Sequence, residues 1–241
     1  MGVSKKILLS AAIGAPLAAL AYARWVRPWH LQWGVRGDEA QRYLPGDELI
    51  PHPKMQSTHA ISIAATPQLV WPWLVQMGQG RGGFYSYTWL ENLAGCQTRN
   101  AEELTPELQA IRVGDPVWLH PNAAPMFVKT LEPGEALVYF GGRDAFPETR
   151  DADVIRKDPT FASSWAFVLN GEGPEGTRLI VRNRTTYGPG LQHELACRLL
   201  LEPIHFVMER KLLYTVRDLV EGRKRQQFAD PEEEDYEPMF V

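Results

Sequence analysis

Two hydrophobic periodicities occur in this chain, and together they leave few folds open. Residues 58–64 alternate, with His59, Ile61 and Ile63 on one face and Thr58, Ala60 and Ser62 on the other, which is the period of a strand. Residues 190–225 have helical character interrupted by Pro203, with Ile204, Met208, Leu212, Thr215 and Leu219 on one stripe and Leu213, Val216 and Val220 widening it. Between them, residues 116–120, 126–131, 136–140, 164–169 and 178–187 are short runs rich in Val, Phe, Leu, Tyr and Trp. Turn signals such as Glu132-Pro133-Gly134 and the glycine-rich residues 171–176 separate them. Thr66 followed by Pro67 marks a helix start after the first strand, and residues 68–77 read as a helix bent at Pro72 and ended by Gly78. Residues 78–113 mix a glycine loop with two helix candidates, 85–93 and one starting at Asn100. The order β, α, about five β, long α predicts an α+β fold in which a curved antiparallel β-sheet wraps a long C-terminal helix and leaves a cavity between them.

The N-terminus adds an expectation of its own. Lys5 and Lys6 precede seventeen uncharged residues, 7–23, and Arg24, Trp25, Arg27, Trp29 and Trp33 follow them. As a helix this stretch would measure about 25 Å, close to a bilayer's hydrocarbon core with flanking cations snorkelling. A secretory signal with an A-x-A site at Ala19 or Ala21 is the alternative, while the aromatic residues fit an interfacial belt. The expected organisation is therefore an N-terminal membrane anchor or signal segment over residues 1–27 and a linker over 28–55. A ligand-binding domain over 56–225, with an insertion at 78–113, and an acidic disordered tail over 226–241 complete it. The expected location is membrane-associated, through a single N-terminal span whose side the flanking charges leave open.

Charge narrows the function classes. Asp230, Glu232, Glu233, Glu234, Asp235 and Glu237 account for the sign of the net −4, and without those six acids the rest of the chain stands at +2. No basic stripe of the kind nucleic acid requires is present. Cys96 and Cys197, 101 positions apart, form no metal-ligand spacing and read either as two buried thiols or as one disulfide. Glu202-x-x-His205 lacks the second copy that a di-iron site needs, and His193-Glu194 lacks the second histidine of a zincin. Neither a metal nor a cofactor is expected.

The element order, with Ala65-Thr66-Pro67-Gln68-Leu69-Val70-Trp71 after the first strand, resembles the helix-grip fold of the START-like (SRPBCC) superfamily of polyketide cyclases, lipid-transfer domains and plant allergen-like ligand binders. The resemblance covers residues 56–222, and the insertion and N-terminal segment depart from it. It implies a small hydrophobic ligand, lipid or polycyclic and polyketide-like, held between sheet and helix. Some members are cyclase- or dehydratase-like enzymes, which is the alternative. A non-catalytic interaction or assembly module is a third reading. The resemblance favours the cytoplasmic face of the membrane.

Candidate site residues follow from the same stretches. Gly78, Gly80 and Gly83 have the spacing of a dinucleotide turn, but they follow a helix where that turn requires a preceding parallel strand. The loop reads instead as a lid carrying Arg81 at its tip, or as a plain connector. Tyr85, Tyr87 and Trp89 in the aromatic run after it suit either a pocket wall or a core. Arg182 and Arg184 share one face of the last strand, and Asn183 and Thr185 share the other. Depending on which face meets the cavity, Arg184 is half of an anion clamp or Asn183 is a polar group inside. The ligand-binding set is therefore Arg81, Tyr85, Tyr87, Trp89, Asn183 and Arg184. No nucleophile signature is present, and acid/base chemistry rests on Glu91, His59, Tyr85 or Tyr87 if they converge. His205 and Glu209, four apart, read as an ordinary helix pair.

Overall fold

A computed structural model of the protein describes Leu17, residues 20–142 and residues 161–229. Six strands form one antiparallel sheet: β1 (Met55–Ile63), β2 (Pro116–Val117), β3 (Met126–Glu132), β4 (Ala136–Gly142), β5 (Ala162–Glu172) and β6 (Gly176–Thr186). Their order is β1-β6-β5-β4-β3-β2, so the first and last strands pair along the full length of β1. The helices are α1 (Arg27–Leu31), α2 (Pro67–Val75), α3 (Thr88–Leu93), α4 (Leu191–Ala196) and α5 (Glu202–Ala229). This is the expected α+β arrangement of a sheet closed by a long C-terminal helix, consistent with a helix-grip fold.

The alternation in β1 sets the two faces. Ile61 and Ile63 join Leu179 and Val181 of β6, Phe167 and Leu169 of β5 and Leu137 and Tyr139 of β4 in the main core, which Leu212, Leu213, Val216 and Val220 of α5 close from the other side. Helix α2 contributes Val70, Trp73 and Leu74 to that core. Pro72 is accommodated inside α2. Pro203, at the second position of α5, is preceded by a π-helical turn, Cys197–Leu201, which widens the helix where a proline cannot donate to the preceding turn. No helix begins at Asn100; a 3-10 turn, Pro106–Leu108, is the ordered element there.

Residues 35–54 cover the outer face of the sheet. Leu44 packs with Ala60, Val168 and Ile180, and Ile50 with Phe127 and Phe140. The chain reaches that face by crossing the edge of β1, where the Ala60 amide donates to the Trp33 carbonyl at 3.1 Å. Gly34 makes the crossing possible, because it has φ +77° and a Cβ there would overlap the Ala60 carbonyl oxygen. Arg178 and Arg182, on the outer face, meet neither solvent nor a cavity. Arg178 grips Glu39 through Nε and Nη2, both at 2.8 Å, and Arg182 is 2% exposed with Nη1 2.6 Å from Asp47.

The expected membrane span is overturned: no helix among the described residues is long and apolar enough to cross a membrane. Most of the expected N-terminal hydrophobic helix lies outside the described residues. Of residues 7–23, only Leu17 and 20–23 are described, and they lead into a π-helical turn, Tyr22–Val26, and the short α1. Residues read as an interfacial belt are used in protein packing. Trp29 and Trp33 stand edge-on to Phe206 at 5.3 and 6.4 Å, and Arg27 makes a bidentate pair with buried Glu202, both bonds 2.7 Å. That pairing consumes the glutamate of the ExxH motif. The acidic stretch 230–241 lies outside the described residues.

Candidate functional site

The inner face of the sheet carries one charged cluster, built from three elements. β1 turns His59 inward, β5 turns Trp165 inward, and α5 places Glu209 between them. The Trp165 indole N–H donates to Glu209 Oε1 at 2.7 Å, and His59 Nδ1 bonds Glu209 Oε2. One turn back along α5, His205 Nε2 is 3.3 Å from the same carboxylate. The other ring nitrogen of His59 donates to the His30 carbonyl at 2.7 Å. His59 thus bridges α5 and the chain at His30 through its two ring nitrogens.

Burial alone would raise the Glu209 carboxyl, but the neighbouring charges of His205 and His59 outweigh it and hold the group well below the usual carboxylate range. Burial would lower His205, and the Glu209 charge reverses this, so the His205 imidazole is shifted upward. The His59 and Glu209 side chains are each 1% exposed, whereas the His205 side chain is 27% exposed. The cluster therefore has a buried end at His59 and Glu209 and a partly exposed His205 ring, whose Nε2 is itself buried and faces the Glu209 carboxylate.

The candidate residues fall into separate places. Asn183 lies on the inner face, directly across from Trp165 on one side and Ser57 on the other, and forms a hydrogen-bonded trio with Thr185 and Ser163. Tyr85 is fully buried, accepts from Gln76 Nε2 at 2.8 Å and stacks edge-on with Trp73. Burial pushes its hydroxyl up to about 12, against the smaller opposing effect of the Gln76 bond. Arg81 lies in the turn closed by the Gly78–Gly83 pair, and its side chain folds back so that Nη2 donates to the carbonyls of Val75 and Leu108 at 3.3 and 2.7 Å. Tyr87 is half-buried, and Trp89 is 66% exposed. Arg184 stands on the outer face with Asp47, 2.8 Å away. Glu91 is buried with both carboxylate oxygens unpartnered, which pushes its carboxyl upward, and no hydrogen bond joins it to His59, Tyr85 or Tyr87.

Glu209, Trp165 and Tyr139 were not singled out as site residues from sequence. A usable signal existed for Glu209: it precedes Leu213, Val216 and Val220 at helical spacing, so an acid occupies a core position of the stripe. Nothing local announces Trp165 or Tyr139, because only strand pairing puts them beside one another, with ring centroids 6.3 Å apart. Two surface recesses lie elsewhere. One of about 670 Å³ is bounded by Arg42, Tyr43, Pro67, the turn at 132–136 and residues 168–171 of β5; the other, of about 230 Å³, is bounded by Lys54, Tyr187, Glu194 and Arg198. Cys96 and Cys197 are both free, buried thiols.

No family model and no curated protein matches the chain. Solved structures align to it with low identity. A hypothetical protein of Helicobacter pylori aligns over 76% of this chain and 96% of its own, at 8% identity and a TM-score of 0.45. The di-domain ARO/CYC StfQ from the steffimycin biosynthetic pathway aligns over 70% of this chain and 51% of its own, at 13% identity and a TM-score of 0.39. A protein of Mesorhizobium loti aligns over 70% of this chain and 98% of its own, at 14% identity and a TM-score of 0.36. Likenesses at this level decide neither family nor activity.

Proposed function

We propose that this chain is a START-like protein that binds a small hydrophobic molecule, lipid or polycyclic, between the inner face of the sheet and α5, with His205 as the polar contact at the rim. The observation that carries the reading is the buried His59–Glu209–His205 charge cluster between the sheet and α5. A buried charge cluster costs more in desolvation than an apolar replacement of the same volume, so it is weak support for the fold and a strong pointer to a site. The aromatic side chains around it, Trp165, Phe84 and Tyr139, supply flat apolar faces of the kind that bind ring systems or acyl chains.

A second reading, a cyclase- or dehydratase-like enzyme, is favoured by the same cluster, since an imidazole paired with a carboxylate is a general acid/base arrangement. The first experiment is native mass spectrometry of the full chain followed by organic extraction. A discrete bound mass, reduced in Glu209→Gln, supports the reading. No extractable mass, together with no binding of long-chain fatty acids or polycyclic phenols, overturns it.

A further inference from the structure

The recess of about 670 Å³ opens on the outer face of the sheet, away from the His59–Glu209–His205 cluster. Its width is on the order of 9 Å, within the size range of small-molecule sites. One wall is cationic. Arg42 lines it with a half-buried side chain that makes no hydrogen bond or ion pair among the described residues, and its Nε–H is buried without an acceptor. The backbone fixes Arg42 from behind, since its carbonyl accepts from Arg182 Nη1 at 2.9 Å and its amide donates to the Asp38 carbonyl at 2.8 Å. Asn170 shares the outer face of β5 with Val168 and lines the same recess, and its Nδ2 is likewise buried without a partner. Helix α2 begins there at Pro67 and Gln68. It has no acid in its first turn and no side-chain cap from Thr66, so no carboxylate of its own offsets its positive end.

The turn between β3 and β4 supplies another wall. Glu132 and Glu135 sit on it, exposed and without an ion pair among the described residues. The turn is held in place: the Glu135 amide donates to the Glu132 carbonyl at 2.9 Å, and the Glu135 carbonyl accepts from the Leu169 amide at 2.8 Å. Arg42 and the two glutamates therefore line one recess without pairing with each other. A plain anion would suit Arg42 and be repelled by the glutamates, and a plain cation would meet the reverse. A molecule carrying both charges suits all three. We propose that this recess binds a small zwitterion of the amino-acid type, its carboxylate on Arg42 and Asn170 and its ammonium on Glu132 and Glu135. The guanidinium fork matches a carboxylate, while an ammonium serves the exposed glutamates as a point charge.

The test titrates the full chain by calorimetry at low ionic strength with 6-aminohexanoate, which can span the recess, and with hexanoate and hexylamine, which each lack one charge. 6-Aminohexanoate should bind about tenfold more tightly than hexylamine and at least about threefold more tightly than hexanoate, the smaller factor reflecting the exposure of the glutamates. Arg42→Gln should lower its affinity about tenfold, and the double variant Glu132→Gln with Glu135→Gln about threefold. None of these side chains bonds another among the described residues, so folding is preserved, which circular dichroism checks. Hexanoate or hexylamine binding as tightly as 6-aminohexanoate, an unchanged affinity in Arg42→Gln, or no binding by any of the three overturns the zwitterion site.

Discussion

Arg182 should be among the costliest residues in the chain to replace, although it lies far from the candidate site. Its guanidinium places all five donors: Nε on Thr58 Oγ1 at 3.0 Å, Nη1 on the Arg42 carbonyl at 2.9 Å and on Asp47 at 2.6 Å, and Nη2 on the carbonyls of Glu39 and Ala40 at 2.8 and 3.0 Å. Arg182→Met keeps the stem and strips these partners, leaving three backbone carbonyls and one carboxylate oxygen facing an apolar group. Asp47 would keep Arg184 at 2.8 Å, which limits the loss. Removing one partner of a buried pair costs about 3–5 kcal/mol, so we expect about 4 kcal/mol. With a urea m-value of about 2.5 kcal/mol/M, the unfolding midpoint should fall by roughly 1.6 M. Arg182→Lys keeps the charge beside Asp47 but cannot reach five acceptors, and should cost about half as much. Urea titration followed by circular dichroism measures all three proteins. A loss below about 1 kcal/mol for Arg182→Met would refute the claim that residues 35–54 are fastened by this side chain.

Glu209→Gln should change how stability depends on pH. His205 is shifted upward in the folded protein, so its contribution is full below roughly pH 6.5 and is lost as pH rises through the higher folded value. The depressed Glu209 contributes above roughly pH 4.3, and that part is lost only under strong acid. Melting temperatures across the neutral range should therefore fall more steeply in wild type than in the variant; parallel curves would remove the coupling. Gly34→Ala should destabilise by well over 1 kcal/mol, because it combines a positive φ with overlap at Ala60. Gly37→Ala, with φ +54° and open space around it, carries the backbone cost alone, about 1 kcal/mol, and equal losses at the two glycines in chemical denaturation would show that the edge crossing is not tight.

Much of the scaffold was legible because its signals are local. The alternation of His59, Ile61 and Ile63, the Thr66-Pro67 helix start and the stripe through Leu212 and Val216 each express a backbone period that a short window contains. The site was less legible. His59 could be flagged as a titratable group on a strand, but its partner Glu209 lies 150 positions away and looked like half of a surface helix pair with His205. Arg182 and Arg184 were placed correctly on one face of β6, yet both alternatives for that face, solvent or cavity, missed the cover formed by residues 35–54. A Pro- and Gly-rich segment without periodicity reads as a linker lying on the body of the protein, but nothing in it says which face it covers when its contacts include two isolated acids, Glu39 and Asp47. The aromatic run at 84–89 also divided: Phe84 and Tyr85 went to the interior and Trp89 to the surface, where loop geometry overrides composition.

By itself the sequence determined the element order, the facing of β1 and β6 and the amphipathic C-terminal helix, since residue spacing along a strand or helix dictates which side chains share a face. The tertiary structure alone decided what each face meets. It brought His59, Trp165 and His205 to the Glu209 carboxylate. It also turned residues 35–54 into an outer layer held by buried ion pairs. Those outcomes depend on strand order and on chain crossings between residues far apart in sequence, and no local pattern encodes the distance between two such residues.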